Sequence, residues 1–382
     1  MSTIDGRLAT PVDSRETDFD EPVAKQEILV ASQWRLMWLK FRRHHLAMIG
    51  MVGVALLYLM AVFNAFLSPY TPEHRTQYPF AAPNGLHLFR DGRLDPYVYG
   101  LTLKADPATM SRTIVQDKEQ TFDVNFFARG PKYNLFGLIP TNIRLMQVEE
   151  GGVLVPFGTD SLGRDIFSRA LNGATISLSV GLVGVAISFF LGAIIGGFSG
   201  FYGGAFDNIV QRLIEFLIAI PTIPLWLALS AAIPVGWSPL QVYFVISLIL
   251  SVQGWTGMAR VVRGKLIQLR EEDFVLDAQL AGASDWRIVV RHMLPAFASY
   301  LIVNLTLAIP FMILGETALS FLGLGLRPPI VSWGVLLQEA QNVQAILLYP
   351  WLLIPGLFVV ATVLAFSFFG DGLRDAADPY AK

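Results

Sequence analysis

The chain has 382 residues, of which 53% are hydrophobic and only 15% are charged. Water-soluble domains carry about 25% charged residues, so this composition excludes a soluble protein of this length, and it also excludes a disordered chain. The 28 lysine and arginine residues against 30 aspartate and glutamate residues leave no basic excess for binding nucleic acid, and the lack of cysteine excludes disulfides, thiolate metal sites and cysteine nucleophiles.

Long stretches without a charged residue or a histidine indicate membrane spans. These stretches lie between the following pairs: His45 and Glu73, Arg169 and Asp207, Glu215 and Arg260, His292 and Glu316, and Glu339 and Asp371. A spanning helix needs about 20 mostly apolar residues, and the third stretch is long enough for two helices joined by a turn at 233–239. The sequence therefore predicts about six spans: 46–68, 173–199, 208–233, 239–259, 297–323 and 346–369.

Basic residues beside these spans predict the orientation of the chain. Arginine and lysine are concentrated in residues 35–43, before the first span, and in residues 260–291, after the fourth. Short basic loops stay in the cytoplasm, so both termini are predicted to be cytoplasmic. The turn at 234–238, which has no basic residue, and the loop at 324–345, which has only Arg327, then lie outside.

Three segments lie outside the predicted helical core. Residues 1–45 lack the apolar core of a signal peptide and are predicted to form a cytoplasmic tail, in which 27–43 is either an amphipathic interfacial helix or a simple basic anchor. Residues 70–165 are polar and rich in Pro, Gly, Tyr and Phe, with strand-like pieces at 97–103 and 120–130. They predict a small extracytoplasmic domain, which is either a lid on a transport path or a spacer. Residues 371–382 form the C-terminal cytoplasmic tail.

The basic loop after the fourth span contains a run of small residues. Residues 273–296 are DFVLDAQLAGASDWRIVVRHMLPA. In this run Gly282 can end one helix, and Ser284 or Asp285 can cap a second, while neighbouring alanines let another backbone approach closely. A helix, a glycine turn and a second helix would form a rigid knob in the cytoplasm. The alternative is an ordinary loop with amphipathic helices.

This segment closely resembles the coupling loop, the EAA loop, of ABC-importer permeases. Gly282 and the Leu294-Pro295 pair stand at the spacing of that family. Leu276 occupies the position of the family's glutamate and Asp277 that of its first alanine, whereas Ala278 matches the second alanine. The resemblance implies that the loop docks on an ATP-binding subunit through the following residues: Leu276, Asp277, Ala278, Gly282, Ala283, Ser284, Trp286 and Arg287.

Two further segments resemble the dipeptide/oligopeptide/nickel branch of these permeases. Residues 157–182 are similar to the segment before the second span of that branch, although Thr175 stands where an arginine is common. Residues 315–337 are similar to its C-type subunit. Residues 70–155 resemble the extended outer domain of some oligopeptide-type permeases.

The resemblance implies an all-α polytopic membrane protein, with about six transmembrane helices in the type I ABC-importer permease arrangement and a small extracytoplasmic domain between helices 1 and 2. The permease core would cover 173–370, with the coupling loop at 260–295. Implied partners are a homologous second permease, two ATP-binding subunits and an external solute-binding protein in a prokaryotic inner membrane. ATP and magnesium would bind to those partners, so this chain would carry no cofactor and catalyse no reaction.

A few polar residues near or within the spans are candidates for the path itself. Arg212 and Glu215, three residues apart, are predicted to form a structural ion pair at a helix interface, with a substrate contact as the alternative. The candidates for an outer gate or a pathway lining are Asp160, Arg164, Asp165, Asn304 and Glu316. For the first three, direct substrate contact is the alternative to shaping the gate, whereas Asn304 and Glu316 have a structural role as the alternative. The five histidines show no metal-ligand spacing, and the sequence has no phosphate-binding loop.

The chain is thus interpreted as a transmembrane subunit that forms half of a translocation pathway for short peptides. Oligosaccharides and nickel chelates remain alternative cargoes. An ion-driven secondary transporter and a membrane-anchored sensor are the rival classes.

Overall fold

The computed structural model describes residues 33–90, 92–105, 112–135 and 138–377. Most of the predicted N-terminal tail, including residues 27–32 of the proposed amphipathic segment, lies outside the described residues. The end of the C-terminal tail, 378–382, lies outside them as well.

Helices account for most of the described chain. Before the sheet they are α1 (Gln33–Arg43), α2 (His45–Val62) and α3 (Asn64–Leu67). After the sheet the long helices are α4 (Ile166–Tyr202), α5 (Gly204–Ala219), α6 (Thr222–Ala231) and α7 (Pro239–Leu269). A loop follows with α8 (Asp273–Leu280), α9 (Asp285–Arg287), a π-helical turn (Ile288–Met293) and α10 (Leu294–Ala296).

The last part of the bundle contains two long helices joined by short ones. These elements are α11 (Ala298–Phe321), α12 (Trp333–Gln338), a 3₁₀ turn (Glu339–Gln341), α13 (Val343–Leu348), a second 3₁₀ turn (Pro350–Leu353) and α14 (Ile354–Ala377).

Within the described ranges, five helical segments are long and apolar enough to cross a membrane: α2, α4, α7, α11 and Pro350–Ala377. A sixth span results if α5 and α6, which meet at an angle of 85°, are counted together. The predicted fold class, a mostly helical chain with about six membrane helices, is confirmed.

The segment predicted as the third span, 208–233, consists of two helices rather than one. Helix α5 ends at Ala219, and α6 begins at Thr222 after a sharp bend. Pro221 stands at the bend, and its ring prevents a continuous helical hydrogen-bond ladder there.

Small residues allow the long helices to approach closely. Helices α4 and α7 pack along most of their length, and a side chain at Gly192 would come within 2.6 Å of Met258. At Gly196, four residues later, a Cβ atom would collide with the backbone of Ala259. Gly192 and Gly196 therefore form a GxxxG pair that faces α7 and lets two backbones come together.

The segment between α3 and α4 contains a four-stranded antiparallel sheet. Its strands, in spatial as well as chain order, are β1 (His87–Arg90), β2 (Arg93–Ala105), β3 (Arg112–Leu135) and β4 (Ile139–Val148). The predicted strands at 97–103 and 120–130 lie within β2 and β3 and are confirmed.

One arginine attaches this sheet to the helices. Arg144 of β4 is 1% exposed, and its guanidinium donates to the carbonyl oxygens of Ala65 at 3.1 Å and Ser68 at 2.6 Å. Desolvation in this buried position lowers the pKa of Arg144. These carbonyls end the helical segment that follows the first span, so the sheet is fixed at one end of the bundle. We call this the sheet end, and we call the opposite end, where α7 leads into α8, the loop end.

Candidate functional site

The loop between α7 and α11 folds as a helix, a glycine turn and a second short helix. Gly282 has a φ of +75°, and its N–H donates to the carbonyl of Gln279 while the N–H of Ala283 donates to that of Ala278. This is the hydrogen-bond pattern of a Schellman motif, in which glycine is favoured because a Cβ atom is strained at positive φ. Ser284 then caps α9 by accepting the N–H of Arg287 at 3.4 Å.

Buried apolar side chains anchor this loop to the bundle. Val275, Ile288 and Met293 have no exposed surface, and they pack against residues of α4 and α7 that include Phe201 and Leu266. Because the loop residues and the helix residues at this contact form one tightly packed cluster, the loop and the ends of α4 and α7 form one unit.

Aromatic and polar contacts strengthen the connection between α4 and the loop. The rings of Phe198 and Trp286 stack with their centroids 5.8 Å apart, and the hydroxyl of Tyr202 donates to Asp285 at 2.9 Å. A displacement of the loop would therefore be transmitted to α4.

The opposite face of the loop is open and partly apolar. Leu276 is 45% exposed, Trp286 is 55% exposed and Leu280, which sequence reasoning missed, is 87% exposed. Four other predicted docking residues are exposed as well: Asp277, Gly282, Ser284 and Arg287. Ala278 and Ala283 are half-buried and pack against the same apolar cluster that anchors the loop. Leu280 could have been found from its position one turn after Leu276 on the same helix.

A cavity of about 420 Å³ lies between α4, the α5–α6 break, α7 and α11. Most of its wall is apolar, and its polar side chains are Ser188, Thr222, Gln253, Thr256 and Asn304. Among the described residues that line it, none is ionisable. Asn304, predicted as a pathway residue, thus lies in the wall of this cavity, where its amide donates to the carbonyl of Tyr300 at 2.8 Å.

The predicted outer-gate residues form a buried charged cluster at the sheet end. Asp160 is 2% exposed, and it pairs with Arg164, at 2.6 Å, and with Arg169. Arg164 also binds Glu339 at 2.9 Å, which joins the start of α4 to the 3₁₀ turn after α12. Both carboxylate oxygens of Asp160 are occupied: Oδ2 binds the two arginines, and Oδ1 accepts the backbone N–H groups of Leu162 and Arg164. The cluster is therefore a structural junction within this chain, and sequence reasoning missed its members Arg169 and Glu339.

Asp165 caps the first turn of α4. Its carboxylate accepts the N–H of Phe167 at 3.2 Å and that of Ser168 at 2.8 Å. Burial raises the pKa of Asp165 to about 6, although the hydrogen bonds from Ser168 act in the opposite direction. This residue stabilises the helix start and is 2% exposed, so it offers little surface to a cargo molecule.

Glu316, a candidate for the gate or the pathway, is buried within this chain. Its side chain has no exposed surface and lies among three serines. The hydroxyls of Ser320 and Ser332 donate to the same carboxylate oxygen of Glu316, each at 2.7 Å, and the hydroxyl of Ser177 donates to the other oxygen at 3.1 Å. Glu316 therefore joins α4, α11 and the start of α12, the structural alternative that the sequence left open.

Two ion pairs lie near the loop end and differ in burial. Asp207 of α5 accepts two hydrogen bonds from Arg263 of α7, each at 2.5 Å, and a third from Ser199 of α4. Arg212 and Glu215 are 2.7 Å apart, but their side chains are 84% and 53% exposed. The second pair is formed as predicted, but it does not lie at a helix interface within the described chain. The Asp207 pair was missed, although Asp207 ends one charge-free stretch and Arg263 lies three residues after the end of another.

Comparisons with known proteins agree with this architecture. Residues 168–382 match the family described as binding-protein-dependent transport system inner membrane component, and residues 32–84 match the N-terminal transmembrane domain of oligopeptide transport permease C.

Several curated relatives cover nearly the whole chain. The oligopeptide transport system permease protein OppC of Bacillus subtilis (strain 168) is 30% identical over 360 residues, which cover 94% of this chain and 92% of the relative. The glutathione transport system permease protein GsiD of Escherichia coli O157:H7 is 32% identical over 355 residues, 92% of each chain. The dipeptide transport system permease protein DppC of Bacillus subtilis (strain 168) is 41% identical over 225 residues, 58% of this chain and 68% of the relative.

Proposed function

Because this chain belongs to the family of binding-protein-dependent transport system inner membrane components, as a C-type permease of the peptide ABC importers, we propose that it forms half of a translocation pathway for short peptides. The names of its relatives specify oligopeptides, dipeptides and glutathione, all of which are short peptides. They favour a peptide over an oligosaccharide or a nickel chelate. The chain is a transport subunit rather than an enzyme, and in this proposal ATP and magnesium bind to its partners.

The exposed face of the loop between α7 and α11 is the observation that carries the coupling role. Leu276, Leu280 and Trp286 expose apolar surface on a unit whose other face is packed against α4 and α7. An apolar, rigid projection fits the groove of an ATP-binding subunit, because such contacts gain affinity from buried anchors without ordering a flexible loop. Closure of two such subunits on ATP would then move α4 and α7 as rigid bodies.

The cavity supports the choice of cargo. Its wall offers amide and hydroxyl groups on an apolar surface and no ionisable side chain. Such groups can exchange hydrogen bonds with peptide bonds of any sequence, while the apolar wall accepts varied side chains. A homologous second permease would supply the other wall of the pathway, and an external solute-binding protein would deliver the cargo.

The proposed orientation places the loop end in the cytoplasm and the sheet end outside. It rests on the basic residues before the first span and in the loop after α7, because short basic loops are retained inside. In that orientation the four-stranded sheet is an extracytoplasmic domain, and the N-terminus and the C-terminus are both cytoplasmic.

Replacement of Leu280 tests the docking role. We expect Leu280→Asp to reduce co-purification of the ATP-binding subunits and peptide-stimulated ATP hydrolysis by at least about tenfold, because a charge would replace an apolar anchor. Leu138→Asp is the matched control, because Leu138 is 83% exposed in the β3–β4 turn at the sheet end and Leu280 is 87% exposed. Retained ATPase binding by the Leu280 variant, or equal loss in both variants, would refute the docking assignment.

A further inference from the structure

The break between α5 and α6 leaves two backbone carbonyls without their helical donors. In an α-helix the carbonyl of one residue accepts the N–H of the residue four positions later. The carbonyls of Leu217 and Ile220 would therefore need the N–H groups of residues 221 and 224. Both of these residues are proline, which has no N–H to donate. Among the backbone donors of the described residues, only the N–H of Ile220 reaches the carbonyl of Leu217, at 3.3 Å.

Backbone groups at membrane depth need a hydrogen-bond partner, and the hydrocarbon region has no water to supply one. The break is therefore stable only if protein groups, or water in a cavity, provide the missing donors. Gln253 on α7 does so: its side-chain nitrogen donates to the carbonyl of Leu217 at 3.1 Å and to that of Ile220 at 3.0 Å.

The chemistry of the amide matches this task. The side-chain nitrogen of glutamine carries two protons, and the two orphaned carbonyls use one each. The amide is thereby fixed in a single orientation, because its oxygen end could not bond to either carbonyl. Gln253, Thr222 and Ile218 all line the cavity, so the clamped break is also part of the cavity wall.

We propose that Gln253 is a positioning residue of the translocation pathway, which clamps the break between α5 and α6 and so holds the cavity wall in shape. The inference deepens the proposed transport function and rests on it. The clamp itself concerns only the backbone of α5 and α6, so it can be measured without transport.

The chain has no cysteine, which provides a direct measurement. Thr222→Cys places a single thiol in the cavity wall beside the break, and its rate of alkylation by N-ethylmaleimide in the assembled complex reports access of water. Addition of Gln253→Leu, which removes the donors at similar volume, is expected to raise this rate by about tenfold, because the freed carbonyls would bind water instead. Gln253→Glu, which keeps the shape but has no N–H donors when ionised, should act in the same direction. Gln268→Leu, an exposed glutamine on the same helix, should have no effect.

A rescue separates clamping from simple packing. Pro221→Ala combined with Pro224→Ala restores both backbone N–H groups, so in that background Gln253→Leu should change the alkylation rate by less than about twofold. A side chain that only filled space would give the same change in both backgrounds, and that result would overturn the proposal. An unchanged alkylation rate for Gln253→Leu in the natural background would overturn it as well.

Uptake of radiolabelled trialanine by the complete complex separates this inference from the proposed function. If the natural complex does not take up the peptide, but the alkylation results follow the pattern above, the proposed cargo fails and the clamp stands. If the natural complex transports the peptide, and Gln253→Leu changes neither uptake nor alkylation, the clamp fails and the proposed function stands.

Discussion

The two ends of α4 are held by charged residues in different surroundings. At the sheet end Asp160 and Arg169 have side chains that are each 3% exposed, and Arg164 and Glu339 complete the cluster. At the loop end Asp207 pairs with Arg263, whose side chain is 31% exposed. The same kind of ion pair thus lies in a dry junction at one end and in a partly wet one at the other.

The difference indicates which end of the bundle is the fixed point. A buried charged cluster is destabilised strongly when one member is removed, because the remaining charges stay buried with fewer partners. When one partner of a partly exposed pair is removed, water solvates the remaining charge, so the free energy of unfolding falls less. The sheet end is therefore the rigid reference, and the loop end can rearrange, as the proposed coupling to an ATP-binding subunit would require.

The largest effect is expected at the sheet end. Arg169→Met should lower the free energy of unfolding by about 3–5 kcal/mol, because Asp160 loses one of its two arginines in a site that excludes water. The apparent thermal unfolding midpoint of the solubilised complex measures this loss. The double variant Asp160→Asn with Arg169→Met should recover part of it, since no uncompensated carboxylate remains. A midpoint for Arg169→Met equal to that of the natural protein would remove the contrast between the two ends.

An intermediate effect is expected at the loop end. Arg263→Gln should cost roughly 1–2 kcal/mol, because water and the hydroxyl of Ser199 can still solvate Asp207. Salt sharpens the comparison, because partly exposed charges are screened and buried ones are screened much less. The loss of unfolding free energy caused by Arg263→Gln should therefore be smaller in high salt, whereas the loss caused by Arg169→Met should stay the same. Equal salt dependence at the two ends would contradict the assignment of a dry end and a wet end.

Local features of the fold could be predicted from the sequence. The length of charge-free stretches predicted the long helices, and the turn chemistry of Gly282 and Ser284 predicted the shape of the loop. The strand-like pieces at 97–103 and 120–130 predicted two of the strands. These features depend on residues within about one helical turn or on simple composition, so a single sequence contains the necessary information.

Contacts between distant residues could not be predicted in the same way. Glu316 and Ser177 are separated by 139 positions, and nothing in the periodicity of either helix indicates that they meet. Likewise, nothing in the local sequence around Pro221 indicates that the carbonyls at the 85° break meet Gln253, which lies on another helix. Burial of a charge in an apolar segment likewise depends on which serines surround it, and that is a property of the packed bundle.

The smallest effect is expected for the exposed pair of α5. Arg212→Ala should leave the unfolding midpoint unchanged within error, because the two side chains are 84% and 53% exposed and gain little from each other in water. This pair was predicted at a helix interface, and none exists for it within the described chain. If the variant nevertheless weakens association with the second permease while the midpoint stays constant, the interface lies between subunits, and α5 belongs to the surface that the partner covers. If both measurements stay constant, the pair faces solvent or lipid headgroups, and the loop end remains the more loosely held end of α4.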